Sequence, residues 1–146
     1  MTYTITTTVD GQFEDILEAT AEAIEDEGFG LLTEIDVQST LEQKLDTEFR
    51  RYRMLGACNP SLARDGLDTE PELGALLPCN VVVYETESGA VSVHAVDPER
   101  LIGVTGNSEL AATAADVGER FERVIAAVDE RFATATDEDS AVAQPT

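Results

Sequence analysis

Two short runs carry the residue types best suited to chemistry, Cys58-Asn59-Pro60 and Pro78-Cys79-Asn80. Each sets a thiol beside a carboxamide and a proline, in mirror-like order, where a strand pattern meets a helix or turn. Thiols serve as nucleophiles and soft-metal ligands only as thiolates. Cys58 directly precedes a predicted helix start, where the backbone's partial positive charge favours the thiolate, and Arg51, Arg53 and Arg64 lie close enough in sequence to act the same way. The overall acidity of the chain acts against them. The same pair also fits simple packing, because a thiol buries like a small hydrophobe. A structural disulfide is disfavoured in a reducing cytoplasm. With the lone His94, the two cysteines fall short of the four ligands of structural zinc, so a carboxylate would have to complete the set. His94, isolated in a strand pattern, reads as an ordinary half-exposed residue.

Five of the nine cations, Lys44, Arg50, Arg51, Arg53 and Arg64, fall between positions 44 and 64. Such a patch could hold a carboxylate or phosphate at the start of the helix opened by Pro60, where backbone donors are unpaired. It could also pair with neighbouring acids or with a second subunit, and the enrichment of arginine at interfaces favours that structural role. No Gly-rich phosphate loop, Gly-x-Ser-x-Gly elbow or His-Glu-x-x-His pair occurs. Asp and Glu total 30, so no acid/base pair can be singled out. The sequence therefore assigns no catalytic residue and no cofactor.

The elements that must position these residues belong to one domain. A chain of 146 residues suits a single core, and folding at this size buries roughly 68–70% of the extended chain's surface. Apolar runs stay far below the roughly 20 residues that span a bilayer. The first ten residues lack the basic region and apolar block of a signal peptide, which gives a cytoplasmic reading. The formal net charge is -21, and Lys44 is the only lysine. At ordinary ionic strength that charge would weaken the compact state, whereas at about 1 M salt the screening length falls to about 3 Å. The expectation is a protein of a salt-rich cytoplasm. Nucleic acid is excluded as a partner, because binding it needs clustered cations.

Periodicity places the elements. Tyr3, Ile5 and Val9 mark a first strand, and Asp10 is positioned to cap the helix that follows. Phe13, Ile16, Leu17, Ala21 and Ile24 recur at helical steps until Gly28. A second strand over 29–35, a short helix over 37–45 and a third strand over 49–57 follow, and Asn59-Pro60 starts another helix. The fourth and fifth strands, 79–86 and 91–96, are joined by a turn at Ser88-Gly89. Asp97-Pro98 opens a helical turn. The clearest amphipathic signal runs from Leu110 to Phe132, and residues 133–146 read as a disordered acidic tail beyond the 1–132 domain.

The run Tyr52-Arg53-Met54-Leu55-Gly56-Ala57-Cys58-Asn59-Pro60, followed by Leu76-Leu77-Pro78-Cys79-Asn80-Val81-Val82-Val83-Tyr84, resembles the domain of unknown function 302 family. Residues 27–36 and Asp97-Pro98 also fit, so the resemblance covers about residues 1 to 132. It implies an α+β fold, with a curved, mainly antiparallel sheet of about five strands gripping a long C-terminal helix and an N-terminal helix in a TATA-binding-protein-like arrangement. It further implies a homodimer, and no settled activity. Its motif positions mark Cys58, Asn59, Pro60, Pro78, Cys79 and Asn80 as the site.

These features describe a non-enzymatic small-ligand-binding or regulatory homodimer, with Cys58, Asn59, Cys79 and Asn80 at the rim of a pocket and Arg53 and Arg64 nearby. Its ligand would be a small anion or a thiophilic metal. A reading from a different class is a thiol-based redox or soft-metal protein using Cys58 and Cys79, whose Cα atoms would then have to approach within about 7 Å. A third is a structural dimer with no ligand.

Overall fold

The computed structural model of the chain describes residues 2–134. β-Branched residues build β1 (Thr4–Asp10), and its alternation puts Ile5, Thr7 and Val9 on one face and Thr4, Thr6 and Thr8 on the other. Asp10 stays in this strand and does not cap the next helix: Gly11 intervenes and Gln12 is the N-cap of α1 (Phe13–Asp26), without a side-chain hydrogen bond. The helix ends as its glycine foretells. Gly28 adopts φ +87°, its N–H bonds Glu25 O at 3.0 Å, and Phe29 N–H reaches back to Ile24 O at 3.3 Å.

The edge strand β2 (Gly30–Asp36) runs directly into α2 (Val37–Leu45), whose first turn is capped by Asp36 accepting from Ser39 N–H at 2.9 Å. Then come β3 (Tyr52–Cys58), α3 (Pro60–Thr69), a 3-10 turn at Pro71–Leu76, and β4 (Cys79–Glu85). The hairpin to β5 (Val91–Val96) closes with Gly89 N–H on Thr86 O at 3.0 Å and Thr86 N–H on Ala90 O at 2.8 Å, Gly89 taking the positive-φ position. α4 (Pro98–Gly103), a 3-10 turn at Ser108–Leu110, α5 (Ala111–Arg131) and the two-residue β6 (Ala133–Thr134) complete the described chain. The tail expected from residue 133 thus begins with a short strand, and from residue 135 it lies outside the described residues.

The strands lie in the order β2-β3-β4-β5-β1-β6, with every neighbouring pair antiparallel. One sheet face carries Val9, Leu55, Val81, Val83, Val91 and Val93, against which α1 and α5 lay Ile16, Ile24, Phe121, Val124 and Val128. Burying each such side chain contributes roughly 1.5–3 kcal/mol. Phe29 and Phe121 meet at a ring-centroid distance of 5.0 Å and lock the end of α1 onto α5. A smaller cluster of Leu73, Ile102, Leu110 and Ala114 joins α4, α5 and both 3-10 turns. This is the α+β architecture that the resemblance implies. Among the described residues no helix is long and apolar enough to cross a membrane.

Candidate functional site

At the β3–α3 junction the sequence spends its polar groups on structure. Asn59 is the N-cap of α3: its Oδ1 accepts from Leu62 N–H at 3.1 Å, and Pro60 occupies the first helical position, where a missing N–H costs nothing. The other end of the same carboxamide donates to Gly28 O at 3.1 Å. Arg120 Nη1 donates to the adjacent Glu27 O at 2.6 Å, so one asparagine and one arginine hold the end of α1 to α3 and α5.

The partner junction begins β4. Cys79 lies opposite Ala57, and Asn80 opposite Gly56. Pro78 follows a cis peptide and sits over Gly56, where a β-carbon would come within 2.9 Å of Pro78 Cγ and would also meet Thr33 Oγ1. Because neighbouring residues of a strand face opposite ways, Cys79 and Asn80 cannot share one pocket. Cys79 is buried on the helix-covered face, and Asn80 is exposed on the other.

α3 and its 3-10 turn fold back over the end of the sheet and, with α5, enclose a cavity of about 320 Å³. Its walls include Phe29, Leu62, Ala63, Leu73, Leu77, Leu110 and Val117. Cys58, Asn59, Pro78 and Cys79 line it too, so four of the expected site residues meet there. The remaining four stand elsewhere. Asn80 lines a depression on the opposite sheet face. Pro60 is exposed at the start of α3. Arg53 is held by Glu34 at 2.6 Å, Asp36 at 3.5 Å and Glu14 at 3.8 Å, and Arg64 pairs with Asp68 at 3.5 Å along the exposed side of α3. The arginines and the helix start therefore do not form one anion site. No charged side chain among the described residues lines the cavity.

Both cysteines are free thiols. Burial, and then the neighbouring Cys58, push the Cys79 thiol up to about 11, so it is protonated at neutral pH and inert as a nucleophile. Cys58 is half-buried. Among the described residues no group of three or more His, Cys, Asp and Glu side chains is gathered as a metal site would require.

His94 corrects the expectation of a half-exposed residue: it is 5% exposed. Its Nδ1 lies 2.8 Å from Thr6 Oγ1 and 3.3 Å from Thr4 Oγ1, and its Nε2 lies 3.0 Å from Tyr84 OH and 2.9 Å from Ser92 Oγ. Burial lowers its pKa and favours the neutral ring. Tyr52, Tyr84 and His94 stack across three strands, at centroid distances of 5.2 and 5.4 Å with 8° between planes. Sequence reasoning missed this column because it depends on cross-strand register. The usable signal was the alternation that sets Tyr52, Tyr84 and His94 on strand positions facing away from the core.

Fold and site together define an α+β protein with an antiparallel sheet, two long helices on one face and an apolar, thiol-bearing cavity at one end. The chain belongs to the domain of unknown function DUF302 family, whose model matches residues 5–128. It is similar to an uncharacterised conserved DUF302 protein from Bacillus stearothermophilus, known from a crystal structure, with 27% identity, a TM-score of 0.81, and coverage of 88% of this chain and 99% of that one. Comparison with curated proteins gives no match.

Proposed function

We propose that the chain is a non-enzymatic binding module that takes a small, uncharged, largely apolar molecule into the cavity beneath α3. The observation that supports this is the chemistry of the walls: in so acidic a chain, the described residues that line a space of about 320 Å³ are aliphatic, aromatic or thiol-bearing but for Asn59 and Thr113. Pockets of this size and character suit small ligands. An anion fits poorly, since no cation among the described residues lines the space to offset its desolvation. The test is calorimetric titration with 1-octanol and p-cresol in molar KCl, on the wild type and on Ala63→Phe, which fills the cavity. Saturable binding to the wild type that disappears in the variant, with the helical circular dichroism unchanged, is the expected result. No binding to the wild type, or equal binding to both proteins, would contradict the proposal.

A second reading rests on both cysteines lining that same cavity. In it, Cys58 and Cys79 act together as a redox dithiol or a soft-metal clamp. Treatment with diamide followed by intact-mass measurement separates the two readings. Loss of two hydrogens from the folded protein supports dithiol chemistry, while an unchanged mass leaves the cysteines as wall residues. Two further parts of the proposal, function in concentrated salt and assembly as a homodimer, are tested by sedimentation equilibrium across a KCl series.

A further inference from the structure

The chain has three tyrosines and one histidine, and all four line a single groove of about 340 Å³ on the sheet face opposite α1 and α5. Its remaining walls are mostly aliphatic, among them Leu76, Pro78, Val82 and Leu101, with Asn80 at one side. The polar groups there fall into two sets. Thr4, Tyr84 and His94, which line the groove, are hydrogen-bonded together with Thr6 and Ser92 beneath them. The hydroxyls of Tyr3 and Tyr52 and the carboxamide of Asn80 make no hydrogen bond to another described residue; Tyr3 is 63% exposed and Asn80 is exposed, so these donors face water in the groove and are open to a ligand.

Charge narrows the ligand class. The chain is rich in carboxylates, yet among the described residues none lines this groove. Beside one of the lining rings, the Arg50 guanidinium lies 5.9 Å from the Tyr84 centroid and makes no ion pair among the described residues. Phenol O–H groups, a carboxamide and a guanidinium are donors that suit a carboxylate. The stacked rings of Tyr52, Tyr84 and His94, with aliphatic walls beside them, suit a flat apolar body.

We propose that this groove is a second ligand site, selective for a small aromatic carboxylate, with Tyr3, Tyr52 and Asn80 donating to the carboxylate and Arg50 compensating its charge. The site lies on the other side of the sheet from the cavity beneath α3, and Pro78 is the one described residue that lines both.

The single histidine supplies the readout, because every imidazole signal in a long-range ¹H–¹⁵N spectrum comes from His94. Benzoate titrated into the full chain in molar KCl is expected to shift those signals saturably, and neutral benzamide to bind at least about tenfold more weakly. Tyr52→Phe keeps the ring stack and removes one donor, and Asn80→Ala removes another; each is expected to weaken benzoate about fivefold, the worth of one net hydrogen bond of about 1 kcal/mol. The proposal is overturned if benzoate produces no saturable shift, if benzamide binds as well as benzoate, or if both variants bind like the wild type. It is also overturned if sedimentation shows that a second copy covers the groove and that benzoate acts only by dissociating the dimer.

Discussion

Asn59 shows how a residue marked as a site can be committed to architecture. Its two amide ends cap α3 and hold Gly28 O, so Asn59→Ala removes both contacts and is expected to lower stability by about 1–2 kcal/mol in urea unfolding. Cys79 predicts a pH dependence. Its folded pKa of about 11 lies above the ordinary 9.0, so the unfolded chain loses this proton first as pH rises. Stability is therefore retained below pH 9 and lost between 9 and 11, by on the order of 2 kcal/mol, and Cys79→Ala should flatten that stretch of the curve. His94 acts at the other end of the range. Because burial lowers its pKa from 6.5, the unfolded chain takes up this proton first as pH falls. Stability contributed by the neutral ring is thus present above pH 6.5 and is lost as pH falls through the folded value, a slope that His94→Gln should reduce in denaturant midpoints measured across that range.

The elements were largely legible in the sequence because their signals are local. The Asn59-Pro60 start of α3, the glycine stop of α1 and the span of β5 all rest on capping, positive φ or short-range alternation. Relations between elements were less legible. Cys58 and Cys79 were expected to act as a pair; what the structure gives is two free thiols in the wall of one cavity. Asn80 was grouped with Cys79, although strand alternation alone separates them. The cavity itself could not be read, since it arises from the way α3 and the turn at Pro71–Leu76 fold back on the sheet. Gly56 tests that packing. A methyl group there must displace Pro78 and Thr33, so Gly56→Ala is expected to cost about 1–3 kcal/mol by urea denaturation, more than its higher strand propensity returns.

Over the whole molecule, the arginines act mainly as ties between elements. Arg123 bonds Glu27 at 2.8 Å and Arg131 bonds Glu22 at 2.9 Å, joining α5 to α1, while Arg53 joins β3 to β2 and α1. Exposed pairs of this kind contribute at most about 1 kcal/mol each, which is little against the repulsion of a net charge of -21. On the proposal that the protein works in concentrated salt, the melting temperature should climb steadily from dilute buffer to molar KCl; a flat or falling curve would argue against it.

The ligand cavity beneath α3 is tested most directly by methyl-resolved NMR during a 1-octanol titration in molar KCl. Saturable shifts are predicted for the methyls of Leu62, Leu73, Leu110 and Val117, which line the cavity, with Val82 and Val96 on the opposite face unmoved. Unchanged signals from those four residues, or shifts confined to Val82 and Val96, would contradict the account.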